Sequence, residues 1–457
     1  MKNFVLFLNL LLIISSSIFA KDLPRFAVIS DTHIGNKASK APKALKNIFS
    51  HGDLDAIFVV GDLTDNGIDA QFAEVNATFT NPDHVPPGVA VYYMMGNHDN
   101  YGNYDSSNKL DNSRPSTNSY LNRLGQPLHQ YIEIKGYPFI TVSMTDKGSF
   151  DAAAKQFLTE KLACAAANHP GKPIFVFYHI PPGNTCYGSR DEDGWGTTVL
   201  PPFLNGYPQV IVFSGHSHYP LGDPRSIHQG NYTAVNDGST IYSEIEKNAV
   251  DEGIHPDKNG SVAEGIIVNV LPKSGNIEME RWDTYRNEEI LPRWTVKAPF
   301  DGSNFATEYA NRNGLPAPVF ASGDELTVKK ENGNYTFTFP AASETADDVV
   351  HHYVLEILDN QQQIIKTLKR FSGYYLNSEK PGKYTFSVDL TEMPFDQTFT
   401  AQVKAIDAYG NQSLPLVSAP FVNENYSQFR NRVDSFRFRI RDGCLSKNIF
   451  AHTLSQT

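Results

Sequence analysis

Six apolar runs of strand length punctuate the first half of this chain, and five of them stop on the same few residue types. The run at 25–30 stops on Asp31-Thr32-His33, and that at 56–60 on Gly61-Asp62. The run at 89–95 stops on Gly96-Asn97-His98-Asp99, 173–178 on His179, and 210–214 on Gly215-His216-Ser217-His218. The remaining run, 139–144, leads into a helix-like stretch at 152–167. Short unbroken apolar runs read as strands buried on both faces. Residues 41–49 have helical spacing, with Ala44, Leu45, Ile48 and Phe49 on one face. Strands alternating with helices predict an α/β unit with helices on both sheet faces. Open α/β sheets bind ligands just past the carboxyl ends of their strands, where these polar residues collect. Further strands are expected at 239–245, 265–271 and 276–282.

The texture then changes. Residues 291–318 contain Pro292, Pro299, Pro316 and Pro318 and read as a linker. From about 320 to 422 the pattern is short alternating strands, as at 335–339, 352–358, 384–388 and 399–407. About a hundred such residues with repeated turn signals predict a β-sandwich. Residues 405–415 loosely resemble the end of a fibronectin type III or immunoglobulin-like module. The expected order is therefore a leader at 1–20, an α/β unit at 21–290, a linker at 291–318, an all-β sandwich at 319–422 and a tail at 423–457. In the tail, residues 436–441 alternate aromatic or aliphatic side chains with arginine, as an added strand would.

Residues 1–20 carry an early lysine, a short apolar run and a small residue, Ala20, before Lys21. That is the layout of a cleaved export signal, and the run is shorter than the ~20 residues a spanning helix needs. The mature chain is expected in a secreted, periplasmic or other extracytoplasmic compartment, with no transmembrane segment. The three cysteines are too few for a disulfide scaffold. Cys164 and Cys186 are near enough in sequence either to pair or to stay free. The 457 residues carry a net charge of −11, so a polyanion is not the expected partner, and sequence-specific nucleic-acid binding is not expected.

The strand ends together offer carboxylate, imidazole and amide groups without a thiolate. That donor set suits two borderline or hard cations, such as manganese, iron or zinc. A lone GNH or DxH says little, since a single histidine is more often structural. Five such motifs in order, each at a strand end, point to a metal site. Here the chain resembles the calcineurin-like metallophosphoesterases, whose pattern runs DxH, GDxxD, GNH with an acidic residue, H and GHxH. This sequence reads DTH, GDLTD, GNHD, YHIPP and GHSH, over about residues 23–283. The resemblance implies a four-layer α/β/β/α sandwich. It also implies that Asp31, His33 and His218 hold one metal, that Asn97, His179 and His216 hold a second, and that Asp62 bridges them. Asn97 and His98 would contact the substrate. His98 and Asp99 are the catalytic candidates, His98 as general acid with Asp99 or Asp65 to orient it. Purple acid phosphatases, a sister group, have tyrosine where this chain has Asp65 and glycine where it has His33, so an iron–tyrosinate centre is not expected.

The reaction so implied is hydrolysis of a phosphomonoester or phosphodiester by a metal-bridging hydroxide. Paired metals ~3.5–4 Å apart make such a hydroxide available near neutral pH. The competing reading is a binding or adhesion protein whose β-sandwich, with a protein or carbohydrate partner, is the working module. A decayed enzyme usually loses ligands, and none is missing here.

Overall fold

The computed structural model describes residues 23–105, 107, 109, 116–146, 150–246, 261–305, 316–344 and 348–424. The expected leader at 1–20, the arginine-rich run at 436–441 and Cys444 lie outside the described residues. In chain order the first unit runs β1 (Arg25–Ile29), α1 (Ala41–Phe49), β2 (Ala56–Val60), α2 (Asp69–Phe79), β3 (Ala90–Met94), α3 (Ser116–Leu124), β4 (His129–Ile134) and β5 (Tyr137–Val142). It continues through α4 (Ala152–Asn168), β6 (Ile174–Phe177), α5 (Pro201–Leu204), β7 (Val210–Ser214), β8 (Ile227–Gln229), β9 (Thr233–Asn236), β10 (Glu264–Val270), β11 (Ile277–Asp283) and β12 (Glu288–Val296).

These strands form two six-stranded sheets, ordered β12-β11-β10-β1-β2-β3 and β4-β5-β6-β7-β9-β8. Phenylalanines fill the space between the sheets. Phe26 meets Phe58, Phe139 and Phe175 edge-on at 5.5, 5.1 and 5.0 Å, and Phe58 stacks on Phe177 at 4.1 Å. Each ring is fully buried, and burial of such a side chain contributes roughly 1.5–3 kcal/mol. The outer face of the first sheet packs on Ala41, Leu45 and Ile48 of α1 and on Phe72, Val75 and Phe79 of α2. The outer face of the second packs on Ala154, Leu158 and Leu162 of α4. Asp151 caps α4 by accepting a bond from the Ala154 amide at 2.8 Å. The result is the expected α/β/β/α layering.

Within the first sheet β1, β2 and β3 run parallel, as do β5, β6, β7 and β9 in the second. Parallel strands put their carboxyl ends on one edge. Three of the motifs singled out above follow β1, β2 and β3 at that edge of the first sheet, and two follow β6 and β7 at that edge of the second.

Two expectations need correction. Residues 239–245 are not a strand. Their backbone instead bonds the turns of the site, with the Thr240 amide on Ser30 O at 3.1 Å and that of Glu244 on His218 O at 2.8 Å. Residues 291–296, expected as linker, belong to β12, paired with β11. Proline is tolerated there because β12 is the edge strand, where a missing amide need not cost a ladder bond. The thiols of Cys164 and Cys186 are both free.

The second unit is all β: β13 (Thr327–Glu331), β14 (Asn334–Pro340), β15 (Val350–Leu358), β16 (Ile364–Phe371), β17 (Lys383–Asp389), β18 (Thr398–Asp407), β19 (Leu416–Val417) and β20 (Phe421–Val422). One sheet is β13-β14-β17 and the other β16-β15-β18-β19, with β20 on β18. Alternate residues point inward. Phe337, Phe339 and Phe386 from one sheet meet Tyr353, Leu355, Ala401 and Val403 from the other.

Candidate metal centre

The site is built from turns that leave strands abruptly. Asp31, His33, Asp62, His216 and His218 all have positive φ, at 51°, 41°, 48°, 66° and 56°. That region costs a residue with a Cβ of order 1–3 kcal/mol and persists only where surrounding bonds impose it. Here they do. The amides of Asp31 and His33 bond Gly61 O and Asp62 O at 3.1 and 2.9 Å, and Gly215 N bonds His179 O at 3.0 Å. Gly61, at φ +83°, must be glycine because a Cβ there would lie 2.5 Å from the His179 ring.

The side chains so aimed fall into two groups. Asp31, His33 and His218 form one, and Asp62, His179 and His216 the other, each with donor atoms within 4.8 Å of one another. Asp62 Oδ2 lies 3.2 Å from His179 Nε2 and 3.7 Å from His33 Nε2, so it faces both groups. Asn97 Oδ1 is 3.2 Å from His179 Nε2.

The imidazoles are held from behind. His179 Nδ1 is 2.8 Å from Val60 O and His98 Nδ1 is 2.8 Å from Asp65 O. A carbonyl can only accept, so each Nδ1 carries the proton and each Nε2 is left for the site. His33 Nδ1 lies 3.5 Å from Asp65 Oδ1, an outer carboxylate behind a ligand imidazole.

These residues fit metal ions. Asp31 Oδ1 and His33 Nε2 are buried without a well-aligned hydrogen bond, and the group nearest Asp31 Oδ1 is another candidate ligand, His218 Nε2, at 3.0 Å. Buried polar atoms are rarely left so, and a cation is the partner such a donor set lacks.

Electrostatics agree. Burial alone would raise the Asp31 carboxyl, but His218 and His179 outweigh it and hold the group well below the usual range. Burial opposes the Asp62 shift too, and His179 and His33 hold it low. Burial would lower His179, yet Asp62 and Asp31 push it up to about 10. His216, buried and beside His179, is held down to about 3.

Metal loading should therefore displace protons, because a metal takes only the neutral imidazole. Below pH 10 the metal-free His179 is protonated, so lower pH favours the metal-free form. Affinity should fall about tenfold per pH unit for each proton released. Manganese titrations by calorimetry at pH 6, 7 and 8, in buffers of different ionisation enthalpy, read both quantities. Affinity that does not change with pH would contradict the assignment.

Asp99 is not where the sequence reading puts it. Its buried carboxylate accepts bonds from the amides of Leu63, Thr64 and Gly96 at 3.0, 2.8 and 2.8 Å and from the Thr64 hydroxyl at 2.8 Å. It pins the turn that carries Asp62 and does not orient His98. The two residues are adjacent in a 3-10 turn, His98–Asn103, whose successive side chains point about 120° apart. The group that fixes His98 is the backbone carbonyl of Asp65.

Asp237 is a site residue the sequence reading missed. Ser30 Oγ lies 2.5 Å from both Asp31 Oδ2 and Asp237 Oδ1. One hydroxyl has one proton, so it can donate to only one of the two carboxylates at a time. Burial, with Asp31 nearby, raises the Asp237 carboxyl well above its usual range. The signal was present as Asn236-Asp237-Gly238 at the end of an apolar run. Tyr101 is a second neighbour. Its hydroxyl accepts from Asn97 Nδ2 at 3.0 Å and its ring lies 4.3 Å from that of His98. Tyr101 also lines a cleft of about 540 Å³ with Asn66, Ile68, Asn118 and Ser119.

Comparisons with known proteins follow the same lines. Residues 24–220 match the family profile described as calcineurin-like phosphoesterase. Among solved structures, a purple acid phosphatase from yellow lupin (Lupinus luteus) seeds is 14% identical with a TM-score of 0.44, over 60% of this chain and 54% of that one. GAP50, the anchor in the inner membrane complex of Plasmodium, is 13% identical with a TM-score of 0.39, over 60% and 88%. The FN1–FN3 domains of chicken CNTN1 are 8% identical with a TM-score of 0.20, over 37% and 47%. The chain thus spans about half the length of the lupin phosphatase. No curated protein matches it. Five motifs gathered at the strand ends of the two sheets, and the donor groups built from them, thus lie within the stretch that matches the calcineurin-like phosphoesterase profile, residues 24–220.

Proposed function

We propose that the chain is an exported phosphoesterase that works with two metal ions and hydrolyses phosphomonoesters or phosphodiesters. One observation carries the reading: buried carboxylate oxygens and imidazole nitrogens converge on one another, with His218 Nε2 3.0 Å from Asp31 Oδ1 and His33 Nε2 3.7 Å from Asp62 Oδ2, in two adjoining donor groups that Asp62 faces together. Asp31, His33 and His218 would hold one ion, and Asn97, His179 and His216 the other, with Asp62 between. Bound ions supply a hydroxide near neutral pH and neutralise charge on the phosphoryl oxygens.

The chain's own residues do the rest. Asn97 and His98 lie beside the reacting phosphoryl group. His98 has its Nδ1 proton committed to Asp65 O, so its Nε2 is the atom that handles the leaving-group proton. Burial lowers the His98 pKa, which makes the protonated ring a better donor. The cleft beside Tyr101 receives the leaving group. We assign the all-β unit to the fibronectin type III or immunoglobulin-like class on its two-sheet packing.

The test is a leaving-group series on wild type and His98→Ala, stripped of metal and reloaded with manganese, zinc or iron. An alkoxide leaves poorly without a proton, whereas a nitrophenolate needs little help. His98→Ala should lower kcat/KM for alkyl esters by about 10²-fold or more and for nitrophenyl esters far less, with metal content kept. Equal losses across the series, with chemistry rate-limiting, would exclude the acid role. No turnover of any ester by reloaded wild type would reject the function.

A further inference from the structure

The all-β unit docks beside the loop at 181–197, which leaves β6 just after His179. The loop is pinned at its base by Gly183 N to Thr197 O at 2.8 Å and Thr197 N to Pro181 O at 2.9 Å. Its inner side lies on the turn that carries His216 and His218. A Cβ at Gly188 would stand 2.8 Å from Ser217 Cβ, and the Tyr187 ring is 4.3 Å from that of Tyr219. Trp195 meets the His216 ring edge-on at 5.4 Å.

The other side of the same loop faces the all-β unit. Tyr187 is fully buried. Its hydroxyl bonds Glu246 and lies 3.1 Å from His351 Nε2, which is itself 3.2 Å from Glu246 Oε2. The Arg225 guanidinium stacks on the Tyr187 ring at 3.8 Å. Asp223 holds that guanidinium through two bonds of 2.8 and 2.7 Å and accepts the Tyr374 hydroxyl at 2.9 Å. Arg190, also in the loop, reaches Asp193 at 2.7 Å and Glu246 at 3.3 Å. His351 and Tyr374 come from the all-β unit, and the other named residues from the catalytic unit. His351 matches no motif in the sequence, yet it contacts the loop that packs on a candidate ligand.

We propose that His351 and Tyr374 are positioning residues for the metal centre. They hold Tyr187 and Arg225, and through the loop they keep Trp195 against His216. The His216 imidazole then presents its nitrogen to the site in a fixed orientation. The all-β unit is in this sense part of the active site, although His351 and Tyr374 act through the loop and not on a reacting atom. The proposal rests on the metal-centre reading above. The same interface also has bonds that involve neither the loop nor Tyr187, with Ser378 Oγ donating to Glu288 Oε1 at 2.6 Å and Asn377 Nδ2 to Asp283 Oδ2 at 2.9 Å. Those bonds provide the control.

The experiment uses the full chain and manganese alone, without substrate. Tyr187→Phe and His351→Ala should weaken one of the two manganese sites by roughly 10–100-fold, the loss typical of disturbing a ligand's outer partners. The other site should hold. With substrate, kcat should fall while KM changes little. His351→Gln, which keeps an N–H donor, should recover part of the loss. Trp195→Leu removes the last link, the ring contact with His216, at a half-buried position and should reproduce the weakening even where a buried variant folds poorly. Ser378→Ala should change neither manganese affinity nor kcat. Wild-type affinity in Tyr187→Phe, His351→Ala and Trp195→Leu, whatever their melting temperatures, would overturn this proposal alone. A wild-type chain that binds no manganese would overturn the metal-centre reading and this proposal with it.

Discussion

Asp62→Asn is expected to cost the protein both metals and nearly all activity. Asn keeps the side chain's shape and tolerates the left-handed backbone at this position. The substitution therefore removes little except the charge. Asp62 is the carboxylate that faces both donor groups, and it balances His179 at 3.2 Å. The loss in kcat/KM should exceed the roughly 10–100-fold seen when only an outer partner of a ligand is changed. His218→Ala, which removes a donor from one group, should deplete mainly one metal. Metal content after gel filtration, measured beside kcat/KM on the same samples, separates the cases. Two tightly held metals with full activity in Asp62→Asn would refute the bridging position.

Ending the chain at residue 318 should be more damaging than removing a tethered appendage. The cut takes away His351 and Tyr374 and leaves Glu246, Arg225 and Asp223 facing water or each other. It also uncovers Ile245 and Val262, which pack on Phe371, Tyr374 and Tyr375. Breaking one side of a buried polar pair costs roughly 3–5 kcal/mol, a large part of the ~5–15 kcal/mol that holds a domain together. The shortened chain should melt lower by on the order of 10 °C or accumulate as insoluble protein. Thermal scans of both lengths decide. A soluble short form with unchanged melting temperature and unchanged manganese binding would show that the units are only tethered.

Much of the catalytic unit was legible because its strands are buried on both faces. The runs at 56–60 and 210–214 correspond to β2 and β7 residue for residue, and the helical spacing at 41–49 to α1. Helix α2 was readable in principle, since Phe72, Val75 and Phe79 recur at helical spacing, but the polar residues between them hide it. Residues 239–245 misled because extended chain and paired strand share a composition. What differs is the bonding partner, and here the partners are the turns around Ser30 and His218. The strand-end motifs were legible in the residues, the seven candidate ligands among them were what the family resemblance implied, and the structure brings those seven together. Asp99 was misread because sequence adjacency suggests contact, whereas a 3-10 turn separates neighbours. The partnership of Tyr187 with His351 spans 164 residues and has no local signature at all.

The left-handed backbone at five of the candidate ligands has a consequence for which ion the protein carries. A cradle tied to neighbouring strand ends keeps its shape without help from its occupant. It cannot tighten around a favoured ion or collapse on a poor one. Discrimination then rests on how well an ion accepts that fixed geometry and a mixture of carboxylate, amide and imidazole donors, on top of the general order of affinity. The most tightly bound ion in that order need not be the one that serves. Availability of ions where the chain folds is then a second influence on loading, beside the fixed geometry.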